Sequence, residues 1–489
     1  MLPTAILDEL RNAVGDHGDG PQRSVITAQN QLQTYECDGL TNFRVLPAAV
    51  VLPANAQQVQ AVVQVCARHG IPFVARGAGT GLSGGALPVE GGVVLSFARM
   101  NRILEIDLAN QRVIVEPGVI NTHVTDAVAA QGYFFAPDPS SQTVCTLGGN
   151  IAENSGGAHC LKYGFTTTHV VAMDVVLPSG EVVTLGSSAP DAPGYDLLGV
   201  FVGSEGTLGV ATRITLRIVK RPEAVQVLLA AFDTVADAAQ TVSDVIAVGM
   251  LPAAMEMMDR LSAAASEAAA HPNYPVCEAL LLIELDGPET EVNAQMQQVT
   301  ELCQRNRSWE VRVARTAAER ALIWKGRKAA FAAMGRISPN YIVQDGVIPR
   351  TALPEVLDEI ARMAAEVNLR VANVFHAGDG NLHPMVLYDQ AIPGQEEIAL
   401  DLSYRILYLC VDRGGSITGE HGVGKEKQQA MGYMFAEPDL DTMQRVRCAF
   451  DPASLANPGK VFPTPRLCGE KAGPYTQHPL QAAGIAEIF

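Results

Sequence analysis

Two stretches in the C-terminal half hold residues able to do metal and proton chemistry: Phe375-His376-Ala377-Gly378-Asp379-Gly380-Asn381-Leu382-His383 and Gly419-Glu420-His421-Gly422. The apolar run 371–375 followed by Asp379-Gly380 predicts a β-hairpin with a two-residue type I′ turn. In that register Gly378 faces Asn381, Ala377 faces Leu382 and His376 faces His383. Directly opposed side chains share one face with Cβ atoms about 4.5–5.5 Å apart. Two imidazoles so placed chelate a divalent metal, and Glu420 adds the carboxylate of a His/His/carboxylate set. Such a set suits zinc or iron and leaves positions open for substrate. His421 is then a free imidazole beside the metal, a candidate general base. The plainer reading is two polar histidines near a turn and an exposed Glu-His pair.

Three glycine clusters lie far upstream. Arg76-Gly77-Ala78-Gly79-Thr80-Gly81-Leu82-Ser83-Gly84-Gly85 follows a short strand pattern. Successive glycines let backbone N–H groups converge on one anion, as a pyrophosphate requires. Gly79-x-Gly81-x-x-Gly84 matches the Rossmann fingerprint only formally, because a strand pattern rather than a long helix follows it. The second cluster comprises Pro137-Asp138-Pro139-Ser140-Ser141 and Gly148-Gly149-Asn150-Ile151-Ala152-Glu153-Asn154-Ser155-Gly156-Gly157. The third is Gly203-Ser204-Glu205-Gly206-Thr207-Leu208-Gly209, running on into Val210. One cluster alone reads equally well as tight turns. Three within one region, separated by strands, fit an extended dinucleotide.

The elements that must hold these residues are spread over 489 positions, too many for one core. A net charge of −17 excludes nucleic acid or an anionic membrane as a direct electrostatic partner. No apolar stretch approaches the ~20 residues that span a bilayer. The N-terminus lacks a basic region and turns acidic at once, which argues against a signal peptide. Nine scattered cysteines without a C-x-x-C pair predict reduced thiols in a cytoplasmic protein and no iron–sulfur cluster in this chain.

After a helical lead-in and polar loop over 1–45, periodicity predicts a helix over 55–69 with Asn55 as N-cap and Gly70 as its stop. Strands are expected over 71–76, 92–97, 102–107 and 112–117, a helix over 121–131, and further strands within 169–186 and 207–219. Beyond Arg221-Pro222 the pattern becomes strands at 225–231 and 278–285 with helices at 234–248, 290–306 and 354–367. This texture predicts an α+β domain with an antiparallel sheet under helices. The segment 395–450 reads as mostly helical, and the tail after 462 as irregular.

Taken together, the glycine clusters, the Arg221-Pro222 boundary, His376-Ala377-Gly378-Asp379-Gly380-Asn381-Leu382-His383-Pro384 and Gly419-Glu420-His421-Gly422-Val423-Gly424-Lys425-Glu426-Lys427 resemble one family. It is the FAD-linked oxidases of the vanillyl-alcohol-oxidase/PCMH superfamily, in the branch of 2-hydroxy-acid dehydrogenases. The resemblance runs over nearly the whole chain, including Tyr35-Glu36-Cys37-Asp38-Gly39-Leu40, His159-Cys160-Leu161-Lys162-Tyr163-Gly164 and Arg336-Ile337-Ser338-Pro339.

The resemblance implies an α+β fold with a two-subdomain PCMH-type FAD-binding domain over 42–221, after a lead-in over 1–41. A substrate-cap domain over 222–418, a helical segment with the Glu-His loop over 419–463 and an irregular tail over 464–489 would follow. It extends the cofactor residues to Pro137, Asp138, Ser141, Gly156, Gly157, Tyr163, Gly164 and Val210. No histidine stands in the first loop to attach a flavin, so FAD is expected to be non-covalent, and His159 to be structural or cofactor-adjacent. The same resemblance assigns the metal to His376, His383 and Glu420, the base to His421 and carboxylate binding to Arg327. Related D-2-hydroxyglutarate dehydrogenases carry a lysine where Val343 stands and an asparagine where Met385 stands. The loss of both favours a small monocarboxylate, glycolate first and D-lactate next.

Electrons are expected to leave through iron–sulfur and second flavin-type partner subunits, with any membrane contact made through them. A non-catalytic flavin-binding scaffold is the competing reading of another class, but it would need neither the histidines nor Arg327. A metal-dependent hydrolase would leave the glycine clusters unexplained.

Overall fold

The computed structural model describes residues 2–16, 23–187, 189 and 194–463. The tail expected to be irregular lies outside them. The first layer is a four-stranded sheet in the order Val25–Ile26, Ala49–Val51, Val93–Ser96, Phe73–Arg76, parallel except at its first pair. The helix Ala56–His69 packs Val59, Val62, Val63 and Cys66 against this sheet. Asn55 caps it by accepting from the Gln58 amide at 3.0 Å, and Gly70 closes it at φ 62°. Chain remote in sequence completes the sheet. Ala456 forms a parallel bridge to Phe73, and Asn457 donates to the Phe73 carbonyl at 2.8 Å.

A five-stranded antiparallel sheet follows, in the order Ile103–Asp107, Arg112–Val115, Val210–Arg217, Val170–Val176, Val182–Gly186. Between the two sheets lie the glycine-rich turns. The third sheet has seven antiparallel strands, ordered Glu310–Val313, Ala224–Phe232, Ala279–Gly287, Ala254–Asp259, Arg370–His376, Pro384–Tyr388, Asn340–Val343. Its period-two pattern separates two cores. Leu228, Ala230 and Phe232 meet the helices Val235–Ala247, Glu289–Arg305 and Leu353–Glu366 on one face. Val227, Leu229 and Ala231 meet the helices Arg260–Ala270 and Ala317–Ala333 on the other. The sheet is thus covered on both sides, not only one.

Five strands and α-helices of this unit are absent from the sequence reading: strands Ala254–Asp259, Glu310–Val313 and Asn340–Val343 and helices Arg260–Ala270 and Ala317–Ala333. Ala254–Asp259 and Ala317–Ala333 contribute to the site. The C-terminal segment is helical over Gln395–Asp412, Gln428–Met434 and Glu437–Phe450, with the Glu-His loop between the first two. Among the described residues no helix is long and apolar enough to cross a membrane. Cys448 is disulfide-bonded, contrary to the expectation of reduced thiols throughout, whereas Cys66, Cys303 and Cys410 are buried free thiols.

Candidate active site at the junction of glycine loops and hairpin

The hairpin forms, but in a different register. His376 bridges Asn381, and Asn373 pairs with Pro384, so His376 is not directly opposite His383. The loop has four residues because the amides of Asp379 and Gly380 both turn back onto the His376 carbonyl, at 3.2 and 3.1 Å. Neighbouring backbone holds it there, with Ile348 donating to the Gly380 carbonyl and Leu382 to the Gly346 carbonyl. A shift of two residues keeps side chains on their face, since the strand period is two. The two imidazoles therefore still meet, diagonally, with ring centroids 5.0 Å apart.

Glu420 arrives from the loop between the helices Gln395–Asp412 and Gln428–Met434. Its Oε1 lies 3.1 Å from His376 Nε2 and 3.2 Å from His383 Nε2. Gly156 makes room for it, because a Cβ there would stand 2.6 Å from the Glu420 carboxylate. The other nitrogen of His376 is held by Glu256 Oε1 at 2.7 Å. Both ring nitrogens of His383 are buried without a well-directed hydrogen bond. Burial opposes a charge on His376, yet the carboxylates of Glu256 and Glu420 outweigh it and raise its pKa well above the ordinary value. Burial would raise Glu420, but His376 and His383 lower it. A site that favours positive charge between two imidazoles and a carboxylate, and leaves one buried imidazole without a directed partner, fits a divalent cation.

A second trio, Asp345, His383 and His421, also brings its ligand atoms within 4.8 Å of one another. Asp345 is already committed. It accepts from the Thr418 hydroxyl at 2.6 Å and from the amides of Gly419, Glu420 and His421, and pairs with the buried Lys427. Its work is to shape the loop that presents Glu420 and His421. From the opposite side Glu205 accepts the amides of Val423 and Gly424 at 2.7 and 2.6 Å. Gly422 sits between the two anchors at φ 82°, where a Cβ would collide with the Glu153 carboxylate. The His421 ring stacks on His383 at 5.0 Å. Burial pushes its pKa down to about 4, assisted by His383 and opposed by Asp345, so this imidazole is neutral at pH 7.

Arg327 lies on the helix Ala317–Ala333, one turn from Phe331, and both contribute to the face opposite the hairpin. Phe331 contacts the His383 ring edge-on at 5.8 Å, and the Arg327 guanidinium lies 6.0 Å from the Phe331 ring. Glu256 takes Arg327 Nε at 2.7 Å and Nη2 at 2.5 Å, leaving Nη1 for a ligand.

One cavity runs along the glycine turns. It is lined by Arg76, Gly77, Ala78, Gly79, Thr80 and Gly81 from the first turn and by Ser141, Gly148, Gly149, Ala152 and Ser155 from the second. Glu205, Gly206 and Val210 come from the third, and Glu420 and His421 close the row. Gly81 and Gly206 have no protein atom nearer than 3.8 and 3.9 Å to an added Cβ, so a side chain at either would enter the cavity. That open space, bordered by backbone amides on glycine turns, fits a dinucleotide. Thr146, Asn150 and Glu153 also line it and were not singled out from sequence.

Eight expected cofactor residues do not line the cavity. The Ser83 carbonyl accepts the amides of Lys425 and Glu426, and Gly84 packs on Lys425, so this pair clamps the Glu-His loop. Gly156 accommodates Glu420, as described above. The Pro137 carbonyl accepts from Asn121, Gly157 abuts Asp138, and Gly164 terminates a short helix against Thr168. Asp138 holds both the amide and Nδ1 of His159, the latter at 2.8 Å. Tyr163 donates to Asp286 at 2.5 Å, and Lys162 pairs with the same carboxylate.

His159 ties the glycine-loop region to the seven-stranded sheet, because its Nε2 meets Glu284 at 2.9 Å. Trp324 donates to the other oxygen of Glu284 at 2.6 Å. Burial opposes a charged His159, but Asp138 and Glu284 raise its pKa well above 6.5. A raised folded-state pKa contributes stability in full below pH ~6.5, and that contribution disappears as pH rises through the raised value. The difference in melting temperature between the wild type and H159Q is therefore expected to shrink as pH rises. A difference that stays constant or grows would refute the imidazolium clamp.

Models of known families match both halves: "FAD binding domain" over residues 47–186 and "FAD linked oxidases, C-terminal domain" over residues 221–461. The chain is 48% identical to glycolate oxidase subunit GlcD of Escherichia coli K12, over 97% of this chain and 94% of that protein. Identity to the Bacillus subtilis subunit of the same name is 39%, over 88% and 92%. A D-lactate dehydrogenase of Anaerostipes hadrus is 33% identical over 85% and 89%. Among solved structures, 4-ethylphenol oxidase from Gulosibacter chungangensis superposes with a TM-score of 0.78 at 18% identity, over 94% of this chain and 97% of that one. p-Cresol methylhydroxylase gives the same score and identity over 94% and 96%. The glycine-lined cavity and these matches agree: the chain shares the fold of the two solved structures, belongs to the FAD-linked oxidases and binds FAD.

Proposed function

We propose that this chain oxidises a small 2-hydroxy acid, glycolate to glyoxylate, as the flavin-bearing subunit of a larger assembly. The observation that carries the reading is that Glu420 and His421 line the glycine-loop cavity while facing His376 and His383. Dinucleotide space and a cation site thereby share one wall. Bound FAD would supply the hydride acceptor for C2, and a divalent metal, which His376, His383 and Glu420 would hold, would supply Lewis acidity for the substrate hydroxyl. Arg327 directs its remaining donors at the substrate carboxylate and fixes C2. His421, neutral and unprotonated on one nitrogen, accepts the hydroxyl proton. Phe331 forms the apolar side and keeps water from the reacting carbon.

The GlcD-named relatives support both the substrate and membership of a multi-subunit complex, in which iron–sulfur and second flavin-type subunits would remove the electrons. D-lactate is the second reading, supported by the relatives named for it. Non-covalent attachment fits a first glycine loop without histidine. Purified protein is expected to bleach in the visible flavin bands on anaerobic addition of glycolate, and acid precipitation to release all the FAD. Unchanged absorbance with glycolate and D-lactate alike would overturn the activity. A yellow pellet would overturn the mode of attachment.

A further inference from the structure

We propose that Glu256 is the positioning residue that sets the metal ligand and the substrate-binding arginine together, through one carboxylate. The inference rests on the function just proposed and concerns a residue with no role in it so far. Glu256 is fully buried on the strand Ala254–Asp259, the single charge in the run Ala254-Met255-Glu256-Met257-Met258. Its strand pairs antiparallel with Arg370–His376, and the register places Glu256 directly opposite His376. Directly opposed residues on one face are close enough for short side chains to bond. Oε1 meets His376 Nδ1 at 2.7 Å, and Oε2 meets Arg327 Nε at 2.7 Å and Nη2 at 2.5 Å.

Each contact has a chemical consequence. A carboxylate on Nδ1 keeps the proton on that nitrogen, so that Nε2, 3.1 Å from Glu420 Oε1, is the nitrogen that would give its lone pair to a metal. On Arg327 it occupies one edge of the guanidinium and fixes the plane, so the free Nη1 points in one direction only. It also neutralises an arginine that is only 4% exposed, which without a partner would be costly to bury. One carboxylate thus fixes the distance between the groups that hold the two ends of a 2-hydroxy acid. Neither partner can shift without moving the other.

Glutamine at this position cannot serve both. Its single oxygen satisfies either His376 Nδ1–H or Arg327, and its amide N–H₂ then confronts the other donor. In E256Q the chelator concentration that removes half of the metal is expected to fall about 10–100-fold, the usual consequence of losing a partner of a metal-binding histidine. KM for glycolate should rise together with this change, while FAD content stays at the wild-type level. The flavin bands and the metal-to-protein ratio after dialysis are read on the same sample, independent of turnover. Wild-type metal retention and wild-type KM in E256Q would overturn the proposal.

If E256Q does not accumulate as folded holoprotein, E256D replaces it. One methylene shorter, it reaches only one of the two partners, so metal retention or KM must change, and wild-type values of both overturn the proposal equally. Failure of the underlying function looks different: wild-type protein would then hold no metal, or would leave its flavin oxidised in glycolate. A wild type that holds metal and bleaches, beside an unaltered E256Q, sinks only the role of Glu256.

Discussion

His383→Ala is expected to remove the metal and lower the rate of glycolate-dependent dye reduction at least tenfold, while FAD remains bound. His383 lies against both imidazoles of the site, His376 edge-on and His421 stacked, and its nitrogens are buried without a directed hydrogen bond. Lewis-acid polarisation of a hydroxyl is worth several kcal/mol, and each ~1.4 kcal/mol is tenfold in rate. FAD should stay because the cavity is lined by glycine turns that His383 does not touch. Metal per protein, flavin absorbance and dye reduction, measured together, separate these effects. Full activity in a chelated, metal-free preparation would exclude the site as drawn.

The second large effect concerns substrate length. Val343 and Met385 are paired across neighbouring strands, and Met385 is fully buried in the layer that also holds Phe331 and Ala330. The two positions that the family resemblance marks out for substrate length thus form one apolar patch. Arg336, the nearest alternative in sequence, is exposed. A second carboxylate against that patch would be buried without a partner, at a cost of several kcal/mol. The wild-type kcat/KM for glycolate is therefore expected to exceed that for D-2-hydroxyglutarate by about two orders of magnitude or more. V343K combined with M385N should narrow the gap. Equal or reversed wild-type values would mean that another cation serves the pocket.

Much of this arrangement was legible in the chain, and the omissions have physical causes. The helix Ala56–His69 announced itself by spacing, an Asn cap and a Gly stop. The hairpin was visible, but its register was set by the Gly346 carbonyl and the Ile348 amide, which no local rule contains. Helix Ala317–Ala333 escaped because its buried face, Ile323, Gly326, Arg327, Ala330 and Ala333, holds only one large apolar side chain. Its start was nevertheless marked: Thr316 accepts the Glu319 amide, and Glu319 returns to the Arg315 amide. Strand Ala254–Asp259 is buried on both faces, so it shows no alternation, and its one carboxylate was the available signal for Glu256. Asp345 gave no local sign of its role, because the amides it gathers come from a loop more than seventy residues away.

The bridge between Phe73 and Ala456 bears on how such a protein is made. A ribosome delivers the glycine loops long before the segment whose bridge at Ala456 finishes their sheet. Asn457, which donates to the carbonyls of Gly85 and Glu205, arrives with it. Until then the N-terminal sheet keeps an open edge, and pairing across so long a separation is slow. Vectorial synthesis therefore cannot release a finished flavin pocket ahead of the segments that carry His376, His383 and Glu420. The growing chain passes through its most adhesive stage before its redox centre exists.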